Sequence, residues 1–151
     1  MNFLKLGAVA IFAAVAFTAC DDSSSAKDSG ASLIAPKDIK SYDCTINNGV
    51  KVLFPEGGEV ANIGDTILVV YASDIQGSGY RFVFKATEDV MGFDMLEKSA
   101  GPKDPDGKTC YQQKVVLTED VAEPTETAVI AVIPYEKTNK VAKSAKFTVT
   151  K

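Results

Sequence analysis

Carboxylates at the right separation can hold calcium or cleave a glycosidic bond, and this chain offers several groupings to weigh. Asp104-Pro105-Asp106-Gly107 begins like a calcium loop. Such a loop needs oxygens at alternate positions, glycine at the sixth and glutamate at the twelfth. Lys108 stands where the third oxygen belongs, and no glutamate follows at the required spacing. The segment reads instead as a tight turn in which Pro105 fixes φ and Asp106-Gly107 supplies the reversal. Acidic neighbours recur at Glu88-Asp89, Asp94/Glu97 and Glu119-Asp120. A hydrolytic pair needs one carboxyl kept protonated by burial, whereas these pairs sit in polar stretches where water keeps both members ionised. The chain has no histidine, the side chain most used for proton transfer near neutral pH and the commonest metal ligand. It also has no G-x-S-x-G segment. The residues predict no catalysis, no metal and no cofactor.

Aromatic rings are the other candidates. Tyr42, Phe93, Tyr111 and Tyr135 fall near strand ends and loops, where an exposed ring can stack on a sugar. Tyr80, Phe82 and Phe84 share one strand face and read as core. Tryptophan, the strongest stacking platform, is absent. Sixteen Lys and Arg against twenty Asp and Glu leave a net charge of −4, so there is no basic field to hold nucleic acid. An apolar fraction of 46% is too high for general disorder.

The elements that must position these residues are strands. Val50–Phe54, Val60–Ile63, Thr66–Ala72, Tyr80–Lys85, Tyr111–Leu117, Thr127–Ile133 and Lys143–Thr150 are rich in β-branched residues and separated by turn residues. Thr66–Ala72 is apolar on both faces, as a central strand would be. Ser41–Ile46 reads as a weakly held first strand, and only Ala86–Met95 offers a possible helical turn. The pattern predicts an all-β sandwich of about seven strands over residues 37–151.

The N-terminus reads as an address. Lys5 precedes the unbroken apolar stretch Leu6–Phe17, which is too short to span a bilayer but long enough for a signal-peptide core. Phe17-Thr18-Ala19-Cys20 then gives way to Asp21-Asp22-Ser23-Ser24-Ser25. Small residues before a cysteine at the end of such a core resemble the bacterial lipoprotein box. The resemblance implies a lipoprotein signal peptide over 1–19, cut before a diacylated Cys20 that anchors the product to a membrane, several acyl chains giving stable attachment. An ordinary signal peptide with an incidental cysteine is the plainer alternative. Phe17 departs from the leucine usual in the box. Residues 20–36 then form a flexible tether, because the run from Asp21 to Ser32 has no large apolar residue. In an exported, oxidising compartment Cys44 and Cys110 are expected to pair as a structural disulfide. A redox-active pair is disfavoured for want of a C-x-x-C motif or a cationic neighbour.

The stretch Val50–Val70 has the form V-K-V-x-F-P-x-G-G-E-x-x-x-x-G-D-T-x-x-V-V, and the chain closes on Ser144–Val149, SAKFTV. Together they resemble the immunoglobulin-like module of Ser/Thr-rich anchored cell-wall proteins and its bacterial extracellular relatives, over most of Val50–Lys151. Two tryptophans usual in that family are missing. The resemblance implies an immunoglobulin-like β-sandwich with a role in cell-envelope association. The combined expectation is a non-catalytic, lipid-anchored envelope module facing the periplasm or the cell surface, with a glycan or envelope protein as partner. The alternative is a small periplasmic inhibitor or envelope-maintenance lipoprotein. Cys44-Thr45, Gly49–Val52 and Gly77–Tyr80 faintly resemble lysozyme-inhibitor lipoproteins, but the similarity ends after Tyr80.

Overall fold

The computed structural model describes residues 31–151. The stretch 1–19 expected to be a signal peptide, Cys20, and the expected tether up to residue 30 lie outside the described residues. Among those described, no helix is long and apolar enough to cross a membrane.

Two sheets face one another. In the first, the central strand β4 (Thr66–Ser73) carries β7 (Tyr111–Val116) antiparallel along one edge. Its other edge is shared by β2 (Val50–Phe54), antiparallel, and by β1 (Leu33–Ile34), parallel. The second sheet runs β3 (Val60–Asn62), β10 (Phe147–Thr150), β8 (Thr125–Pro134), β5 (Tyr80–Lys85) and β6 (Phe93–Asp94). A short β9 (Ala142–Lys143) also pairs with β8. β3 and β10 are parallel; the other pairs of this sheet are antiparallel.

Alternation puts Ile67, Val69 and Tyr71 of β4 opposite Tyr80, Phe82 and Phe84 of β5, with Ile130, Val132 and Phe147 completing the core. The Tyr71 ring lies 5.4 Å from both the Tyr80 and Phe82 rings, edge to face. These contacts join the two sheets across the interior. Val70 and Ala72 are also fully buried, so the central strand is covered on both faces, as its apolar run predicts. The fold is all-β and sandwich-like.

Several strand expectations need correction. Among the described residues there are ten strands, not about seven. Ser41–Ile46 is not a strand: Asp38 Oδ1 accepts from Lys40 N at 2.9 Å and Asp43 Oδ1 from Thr45 N at 3.0 Å. Short acidic side chains capture these amides locally and divert them from a ladder. Lys143–Thr150 is not continuous. Ser144 N donates to Ile130 O, but Ile130 N donates to the Ser144 hydroxyl at 3.0 Å, where a regular strand would offer its carbonyl. The strand therefore bulges between β9 and β10, and Ala145 N reaches Pro55 O. Ala86–Met95 holds no helix; it is a turn followed by the short β6. Within the stretch assigned to the tether, Ser32–Ile34 is already paired to the sheet. Asp65 explains this, accepting from Ser32 N and Asn62 N at 2.7 Å each, while Thr66 N donates to Ser32 O.

Cys44 and Cys110 form a disulfide, with Cα atoms 5.2 Å apart. It ties the strandless segment after the Ile39–Ser41 3₁₀ turn to the start of β7.

Candidate functional site

Of the carboxylates singled out by sequence, Asp106 holds a turn, while Asp94 and Glu88 face cations. Asp106 Oδ1 accepts from Lys108 N and Thr109 N, and Oδ2 from the Thr109 hydroxyl at 2.6 Å. These bonds, the Thr109 hydroxyl first, hold Asp106 well below the usual carboxylate range. Gly107 closes the same turn at φ 68°, donating to Ser73 O and accepting from Ile46 N. A Cβ there would stand 2.6 Å from Ile46 O. The 104–107 segment is thus a turn in which the Asp106 oxygens are taken up by the Lys108 and Thr109 that follow it. Asp94 grips Arg81 through two bonds of 2.8 and 2.9 Å, and Glu88 lies 3.4 Å from Lys146. Among the described residues, no three potential ligands gather to hold a metal.

The four aromatic candidates are not brought together. Tyr111 packs on Tyr71 at 5.8 Å, and its hydroxyl accepts from Asp106 N. Tyr135, 45% exposed, lies at the same end, its amide on Gly79 O. Tyr42 is half-buried, its hydroxyl donating to Glu56 at 2.9 Å. Phe93 sits at the other end of the second sheet, paired with Phe84 at the end of β5 remote from Tyr80.

Around Phe93 the surface changes character. Val90, Met91 and Phe93 are 43%, 92% and 60% exposed, clustered in four residues of chain. Gly92 lets this turn lie against β5, since a Cβ there would collide with Phe84 O and a Val83 methyl. Ala86 O anchors the turn by accepting from the Thr125 and Thr127 hydroxyls at 3.0 Å each. Two grooves flank Met91. One, of about 340 Å³, lies between Val90, Phe93 and the turn carrying Glu119, Asp120 and Glu123. The other, of about 410 Å³, crosses the outer face of β5 and β8, with Val83, Ala131 and Ile133 as floor and Lys85 and Lys143 beside it. Sequence reasoning named Phe93 but missed Val90 and Met91. The available signal was a run of apolar residues inside an otherwise polar turn.

No family model matches this chain, and no curated protein matches it either.

Proposed function

We propose that this protein is a non-catalytic, lipid-anchored binding module of the bacterial cell envelope, built on an immunoglobulin-like sandwich. The single observation that carries the binding role is the exposed Val90-Met91-Phe93 cluster with a groove on either side. Large apolar side chains grouped on a surface leave water-exposed area that a partner can cover. The immunoglobulin-like reading draws support from the strand path. β2 pairs with β4 in one sheet, then after the Pro55–Gly58 turn β3 crosses to pair parallel with β10 in the other. The resulting order, β2-β4-β7 against β3-β10-β8-β5-β6, suits that family. The anchor at Cys20 rests on the sequence motif, and a glycan or envelope protein is the proposed partner class.

The test has two readouts. Palmitate labelling of the whole protein in bacterial cells is expected to disappear with Cys20→Ser. Purified protein is expected to bind envelope material saturably, with retention falling at least about tenfold in Met91→Ser and Phe93→Ser. Labelling that persists in Cys20→Ser overturns the anchor, and retention indifferent to both surface changes overturns the binding site.

A further inference from the structure

The two grooves beside Met91 carry opposite charge. Glu119, Asp120 and Glu123 rim one, and none of them has an ion-pair partner among the described residues. On the other side, Lys85 and Lys143 both donate to the single carbonyl oxygen of Glu88, at 2.8 and 3.3 Å. Two ammonium groups therefore share one neutral acceptor, and neither meets a carboxylate among the described residues. Arg81, beside them, is already neutralised by Asp94.

A partner for this strip needs an apolar centre with cations on one flank and acids on the other, in reversed order. The strip itself, turned through 180°, meets that description. We propose that its occupant is a second copy of this chain, the two related by a two-fold axis near Met91. This inference rests on the binding role proposed above and names the partner. In such an isologous pairing the Glu119–Glu123 turn of each copy faces Lys85 and Lys143 of the other, while Met91 and Phe93 of both are covered between them. Unlike charges at the flanks fix the antiparallel register, because the parallel one sets like charge against like.

The position of the strip supports a partner in the same membrane. Leu117 N bonds Asp65 O, and Asp65 holds Ser32, so the 119–123 turn lies at the end where the chain enters from Cys20. A surface at the anchored end of a tethered domain meets neighbours on the same bilayer, where a short tether keeps their effective concentration high.

The experiment uses the full chain in the membranes of cells that express it. Met91→Cys is expected to cross-link to itself under mild oxidation, and Lys103→Cys, near Gly77 at the opposite end, is not. In the Met91→Cys background, Lys85→Glu with Lys143→Glu is expected to lower the cross-linked fraction at least about tenfold. Glu119→Lys with Glu123→Lys should do the same. Co-expressing the two reversed forms is expected to restore it, which also shows that each is folded. Cross-linking no greater than that of Lys103→Cys, or unchanged by charge reversal, overturns the paired-copy arrangement. If that happens while Met91→Ser still weakens retention on envelope material, the binding role stands with a different partner. If cross-linking behaves as expected but retention ignores Met91, the pairing stands and the wider binding role falls.

Discussion

Tyr80 carries its hydroxyl into the interior, within 2.7 Å of Ser73 Oγ and donating to Ile75 O at 2.9 Å, while Ile75 N donates to the same serine oxygen. One phenol thus satisfies the polar groups where β4 ends in a buried turn. Replacing a hydroxyl so placed strands its partners away from water. Tyr80→Phe is expected to cost about 1–3 kcal/mol in urea unfolding, with the slope unchanged. Asp65 does comparable work at the other end of β4, nearly fully buried and accepting from Ser32 and Asn62. Asp65→Ala should cost about as much and release Ser32–Ile34, read as faster amide exchange there. In the sequence, Tyr80 was legible as core from its alternation with Phe82 and Phe84. Asp65 was not, because its partners are backbone amides that have no sequence signature.

Elements were legible where alternation or a long apolar run marked them. Val50–Phe54 and Tyr80–Lys85 match expectation residue for residue. Leu33–Ile34 and Phe93–Asp94 escaped, since two residues hold no period to detect. The candidate binding surface escaped with them. It arises where the 90–93 turn meets the 119–123 turn, a proximity no local pattern encodes. Two predictions belong to this scale. Gly92→Ala is expected to lift the turn off β5 and speed proteolysis within Ala86–Met91, while the core transition moves little. Breaking the disulfide with Cys44→Ser and Cys110→Ser is expected to cost about 4 kcal/mol on the chain-entropy model for a loop of its separation, 66 residues, as read from the urea midpoint.

For the whole molecule, stability should form a plateau in pH with a fall on either side. Hydrogen bonds hold Asp43, Asp74, Asp106 and Glu136 below their ordinary values, led by those from Thr45, Asn48, Thr109 and Ser78 respectively. A group with a lowered folded value binds its proton more weakly than in the unfolded chain. Its contribution is present above the ordinary carboxylate range, about pH 4, and is lost as pH falls below that. At the alkaline end burial raises Tyr71 and Tyr80, and burial with the Glu56 carboxylate pushes Tyr42 up to about 12. Their contribution is present below the unfolded tyrosine value, about 10, and is lost as pH climbs through the folded ones. Thermal unfolding from pH 2 to 12 should therefore show a flat centre, and Tyr42→Phe should soften the alkaline fall alone.

The disulfide also sets how the domain answers a mechanical load. A pull on the chain from its N-terminal side acts first on Leu33–Ile34, whose pairing with β4 is two residues long. That strand yields, and the dozen residues from Ser32 to Asp43 pay out, at most about 40 Å of extended chain. Unravelling then stops at Cys44. The force crosses to Cys110 and enters β7, which is registered along six residues of the central strand. The domain so loaded gives a short length of slack and then holds.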